Sequence, residues 1–203
     1  MIKNLYEKSE IWFAVAWIIA YVVLASTGDN ISADIGILKI VTLPILIILS
    51  VILFLFVKRN GLSEKYGLCK SEIPASKMLF YIPLVILLTA NLWYGVTMNV
   101  SLLESVLYIL SMLFVGFLEE MIFRGFLFNA MAIGFAFVMI YYKTKSLVPC
   151  ILTHSIFNSL STFANEAVMT PQKQIIAGVL ITIIAGGYAL YITLLVKEKN
   201  TKQ

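Results

Sequence analysis

Phe117-Leu118-Glu119-Glu120-Met121-Ile122-Phe123-Arg124-Gly125-Phe126 places three charges within six residues of a chain that otherwise keeps charge out of its apolar stretches. Fourteen uncharged residues precede the cluster (105–118) and eighteen follow it (125–142). A charge at membrane depth costs about 2.5–3.5 kcal/mol on insertion scales, so this cluster needs a reason, and chemistry is the one we expect.

The surrounding sequence extends the same reading. Of 203 residues, 61% are hydrophobic and 13% charged, whereas a soluble domain averages about 25% charged. Apolar stretches run over roughly 11–26, 37–57, 78–98, 102–118, 126–142, 147–163 and 175–196. A spanning helix needs about 17–25 residues. The second, third and seventh stretches satisfy this alone, and 102–118 does so by continuing through the Glu-Glu-Arg cluster. No period-two alternation recurs, so a barrel is excluded and helices are left to satisfy the backbone in lipid. The expected fold is all-α: a polytopic transmembrane helical bundle of about six to seven membrane helices, forming one membrane domain over 1–203. The net charge of +4 sits mostly on lysines at the ends of apolar segments. It reads as topology and contact with the lipid bilayer, not as nucleic-acid binding.

Orientation follows from the basic residues. The connector 58–77 holds Lys58, Arg59, Lys65, Lys70 and Lys77, whereas 27–36 holds Asp29 and Asp34 and no base. This places 58–77 and the N-terminus in the cytoplasm, with Arg124 near the same face. Lys143, Lys145, Lys197, Lys199 and Lys202 should also be cytoplasmic. A helix spanning 126–142 conflicts with that, so this segment is re-entrant, or the rule is broken, or a crossing is absent. The connector itself, with Gly61, Gly67 and Pro74, reads as an irregular loop with little chemistry. Trp12 and Trp17 favour a retained first helix over a cleaved leader.

Glu120 and Arg124 are four apart and share a helical face. Glu119 points about 100° away and has no evident local partner. A carboxylate in oily surroundings suits a general base. One glutamate can be that base while arginine holds the other, and spacing does not choose between them. The bland alternative is a helix end whose side chains snorkel to the interface, though an interface does not ask for two adjacent acids. His154 is the only histidine and lies four residues before Asn158. The pair could hold a water or donate to a developing oxyanion, or could be ordinary interhelical glue. Glu104 reads as a helix cap, Asn91 and Asn129 as glue, and Glu166 as a loop residue. Cys69 and Cys150 have neither metal-ligand spacing nor a disulfide context.

Taken together, Glu-Glu-x-x-x-Arg followed some thirty residues later by His-x-x-x-Asn resembles the CAAX-prenyl-protease and bacteriocin-processing (Abi) family of intramembrane glutamic endopeptidases. Phe123-Arg124-Gly125-Phe126-Leu127-Phe128 is similar to the family's run after the glutamates. Lys143-Thr144-Lys145-Ser146-Leu147 resembles its basic-Thr-Gly-Ser-Leu turn, with Lys145 where glycine is usual, and Pro149 precedes the histidine as expected. The likeness covers about 102–163. The resemblance implies that Glu119 activates the attacking water, that Glu120 and Arg124 support it, and that His154 and Asn158 stabilise the oxyanion. It implies no cofactor. A zinc centre normally takes three protein ligands, which one histidine argues against. The chain departs from the family at a Phe-x-x-x-His helix that should lie between about 128 and 134. Losing a general-base partner typically costs about 10²–10⁴ in rate.

The expectation is therefore an endopeptidase acting on a membrane-associated peptide or protein in a bacterial plasma membrane, in bacteriocin maturation or self-immunity. Two alternatives remain. One is a catalytically impaired relative that binds a peptide or partner. The other is a small transporter using Glu119 as a proton carrier, for which no inverted repeat speaks.

Overall fold

The computed structural model describes residues 2–126 and 135–201. It is a bundle of helices, with no strand among the described residues beyond an isolated bridge between Val96 and Ala164. In chain order these are α1 (Ile2–Lys8), α2 (Glu10–Ile35), α3 (Thr42–Arg59), α4 (Met78–Leu88), α5 (Leu102–Glu119), α6 (Phe135–Thr144), α7 (Val148–Leu160) and α8 (Pro171–Thr201). Among the described residues four helical segments are long and apolar enough to cross a membrane: Glu10–Ile35, Thr42–Arg59, Leu102–Phe123 and Pro171–Leu195. The chain is thus a helical membrane protein, as its composition demands.

Local sequence sets the ends. Ser9 caps α2 by accepting from the Trp12 amide at 3.3 Å, and Gly36, in the left-handed region, closes it. Ser101 and Glu104 form a reciprocal capping box at the start of α5, which satisfies amides that the first helical turn leaves unpaired. Pro149 sits in the first turn of α7, where its missing N–H costs nothing.

Several boundaries differ from the sequence expectation. The first helix runs to Ile35, so Asp29 and Asp34 belong to it and not to a connector. The stretch 37–57 becomes helical only at Thr42. Lys39, at φ 63°, lies in the turn between them and reaches back to Asp29 at 2.8 and 2.9 Å. Thr42 also donates to Asp29, at 2.6 Å. Here the ion pair gives a half-exposed acid its counter-charge, a pairing that charge counting along the chain does not reveal. The stretch 78–98 gives only eleven residues of α-helix, followed by a 3-10 turn at Ala90–Leu92. The Pro83 ring removes one ladder bond within it. Asn91 serves as the polar glue expected of it, its amide donating to the Phe157 carbonyl at 2.7 Å. Asn129 and the inferred gap between about 128 and 134 lie outside the described residues, as do the Glu166 side chain and residues 127–134 of the stretch at 126–142.

One end of the bundle gathers four segments. Tyr6 and Tyr66 share a hydrogen bond at 2.6 Å, and Lys65 pairs with Glu10. The turn after α6 docks on the same connector: the Glu72 amide donates to Thr144 at 2.8 Å, Leu147 to Gly67 at 2.8 Å, and the Ser146 hydroxyl to Cys69 at 2.6 Å. The connector is irregular, as expected, yet it is packed rather than free, with Tyr66 only 2% exposed. A β-carbon at Gly67 would meet the Tyr141 ring at 2.6 Å, so only glycine fits. Lys145 has φ 53°, which accounts physically for a turn position where glycine is at home.

Candidate active site

Among the described residues α5 and α7 make the most extensive helix pair. Their approach is set by Gly116, which lies against Ser155. That contact brings the end of α5 beside the middle of α7. At Glu120 the helix widens into a π-helical turn, Glu120–Phe126. Such turns break the i→i+4 ladder and recur at functional sites. Here the widening begins at the second glutamate of the cluster.

Three of the five expected site residues meet there. His154 Nδ1 lies 2.7 Å from Glu120 Oε1, and its Nε2 lies 3.4 Å from Glu119 Oε2. One imidazole therefore spans both carboxylates. The two acids differ sharply in access: the Glu120 side chain is 0% exposed and that of Glu119 30% exposed. Glu119 is also not without a partner. The Tyr21 hydroxyl of α2 donates to its Oε1 at 2.8 Å. That partner arrives from a helix 98 positions away in sequence, which spacing along α5 could not reveal. Arg124 falls within the π-helical turn, but its side chain lies outside the described residues.

His154 sits six residues beyond Val148, about 9 Å of helix from the end where the connector docks. The site is thus inside the bundle rather than at a rim, which removes the snorkelling alternative for Glu120. A cavity of about 550 Å³ adjoins it, lined by Thr153, His154, Phe157 and Asn158 of α7 with residues of α4, α6 and α8. Among the described lining residues neither glutamate figures; they meet the cavity through the imidazole. Asn158 is one turn beyond His154, and its side chain lines this space. A second, larger cavity of about 880 Å³ lies between the connector, α4 and α7 and shares Thr153 with the first.

The arrangement can move a proton. If Nδ1–H donates to Glu120, the contact between Nε2 and Glu119 is attractive only when one of the two carries a proton. The tautomer is assigned from this geometry. Among the described residues no group of three or more His, Cys, Asp or Glu side chains has the geometry of a metal site.

Comparison with curated proteins and with solved structures gave no match. Residues 128–160, which carry His154 and Asn158 but stop short of the glutamates, match the family model described as Rce1-like, Type II CAAX prenyl endopeptidase Rce1-like. The chain is thus identified, on this segment and on the residues quoted above, as a membrane protein similar to the CAAX prenyl endopeptidases.

Proposed function

We propose that the protein is an intramembrane endopeptidase in which Glu119 activates water against a peptide bond. The observation that carries this reading is the single imidazole held between two carboxylates of unequal access. Glu119, the accessible one, takes a proton from water as the water oxygen bonds to the carbonyl carbon. The carbonyl electrons move onto oxygen, and the Asn158 amide donates to that oxyanion. The C–N bond then breaks, and the proton carried by Glu119 passes to the leaving amine. His154 keeps Glu119 aligned, with Glu120 holding the far side of the ring. The family pattern assigns His154 to the oxyanion; we place it on the carboxylates because both ring nitrogens are directed there. Residues 102–163 form the catalytic core of the single domain, and Arg124 supports Glu120.

The substrate is a membrane-associated peptide or protein entering from the cytoplasmic half of the bilayer. The basic residues of the connector support assigning it and the N-terminus to that face of a bacterial plasma membrane, and the biological role we propose is bacteriocin maturation or self-immunity. A second reading, a binding protein without turnover, is favoured by one feature: both imidazole nitrogens are engaged and neither glutamate is among the described lining residues of the adjoining cavity.

The test uses the full chain in liposomes with a quenched fluorescent, farnesylated CAAX-type peptide as the probe. We expect cleavage by the wild type and its loss, by at least about 10³-fold, in Glu119→Gln. Equal signal from both proteins, or none from the wild type, overturns the endopeptidase. Retained peptide binding in the absence of cleavage supports the second reading.

A further inference from the structure

Glu119 spends its two carboxylate oxygens on two different helices. Oε1 accepts from Tyr21 of α2 at 2.8 Å, and Oε2 faces Nε2 of His154 at 3.4 Å. One contact fixes one oxygen; two contacts from opposite sides fix the plane of the group.

Tyr21 is unusual on its own helix. Between Ile11 and Ala25 it carries the one hydroxyl, in a run otherwise made of Ile, Trp, Phe, Ala, Val and Leu. It lies eleven residues beyond Glu10, about 16 Å into the span. A hydroxyl at that depth is costly unless it has an acceptor. It lies outside residues 128–160 and outside the Glu-Glu-x-x-x-Arg and His-x-x-x-Asn patterns. Nothing in the chain near it explains it; its acceptor on α5 does.

We propose that Tyr21 is a positioning residue for Glu119, holding one carboxylate oxygen so that the other stays at the imidazole. The inference rests on the endopeptidase reading above. Tyr21 acts through Glu119 and touches no reacting atom. Besides Tyr21, the described titratable groups around that carboxylate are His154 of α7 and the neighbouring Glu120 on its own chain segment.

The experiment compares wild type, Tyr21→Phe and Glu119→Gln in liposomes with the same farnesylated peptide. Phenylalanine keeps the ring and removes only the donor. We expect kcat to fall about 10–100-fold, as for loss of one hydrogen bond to a charged group, with KM within about twofold. In parallel, ¹³C-glutamate labelling and infrared spectroscopy identify the Glu119 carboxylate band by its loss in Glu119→Gln. That band should shift in Tyr21→Phe, a signature that general loosening of packing does not give. An active wild type with unchanged kcat in Tyr21→Phe overturns the positioning role and leaves the endopeptidase standing. An unshifted band overturns the role through the hydrogen bond itself, even where the variant is inactive through poor folding. An inactive wild type overturns the endopeptidase and with it the role.

Discussion

Gly116 and Ser155 approach so closely that a β-carbon added to Gly116 would lie 2.1 Å from the Ser155 hydroxyl oxygen and 3.0 Å from its amide nitrogen. Small residues let membrane helices meet backbone to backbone. Here that contact lies one turn before Glu120 on α5 and adjacent to His154 on α7, so the distance between the acid and the imidazole depends on it.

Gly116→Ala should therefore act on the site without touching it. We expect a cost of about 1–3 kcal/mol from overpacking and a fall in peptide cleavage of at least about tenfold. Adding Ser155→Ala should restore only part of the loss, because two of the atoms that crowd the new β-carbon belong to the Ser155 backbone. Melting curves in detergent, read beside cleavage rates, check both points. Full rescue by Ser155→Ala would show that the hydroxyl, not the backbone, sets the spacing.

His154→Ala should destabilise the bundle more than Glu120→Gln. Removing the imidazole takes a partner at 2.7 Å from a carboxylate that is 0% exposed, and a hydrogen bond to a charged group is typically worth about 1.5–3 kcal/mol. The amide of Glu120→Gln can still accept from Nδ1. Unfolding in denaturing detergent mixtures measures the difference, and equal stability of the two variants would contradict the geometry.

Lys145→Gly should be close to neutral. Glycine relieves a left-handed residue at φ 53°, worth about 1 kcal/mol. It also removes the Lys145 ammonium from 4.3 Å above the Tyr142 ring, which costs about 0.5–1 kcal/mol at an exposed site. Lys145→Val loses the ammonium and keeps the strain, so it should melt lower than either. A Val variant as stable as wild type would mean that the turn does not need this backbone shape.

Cys69 offers a pH-dependent probe of the same region. Burial, followed by the negative charges of Glu64 and Glu72, holds its thiol above the ordinary value. Less of it is therefore thiolate at neutral pH, and the thiolate is the reactive form. Labelling by a membrane-impermeant maleimide should be slower than for a free cysteine at pH 7 and should keep accelerating at pH values where a free cysteine has levelled off. Cys150, fully buried, should stay unlabelled under the same conditions. In intact cells the label should reach Cys69 only after permeabilisation, since the connector is proposed to be cytoplasmic. Labelling of intact cells would reverse the orientation.

The apolar stretches, the capping role of Glu104 and the meeting of the glutamate pair with the His154 helix follow from sequence because each rests on composition, spacing or a short pattern. What escaped has a common cause. Tyr21 on Glu119, Lys39 on Asp29 and Gly116 on Ser155 are each made across the fold. Nothing local in α2 distinguishes Tyr21 from an interfacial aromatic, and nothing in α5 distinguishes Gly116 from a tolerated glycine. A hydroxyl isolated in an apolar span was the signal available for the first. For the second, the small-residue face of α7 around Ser155 and Ser159 was the available hint.

The span of 98 positions between Tyr21 and Glu119 has a consequence for biogenesis. The first long helix leaves the ribosome carrying a phenol whose acceptor has not yet been synthesised. Until α5 emerges, that hydroxyl must turn to water, to lipid headgroups or to the insertion machinery. Closing this late tie would mark the moment at which the nascent bundle passes from separate inserted helices to an assembled one.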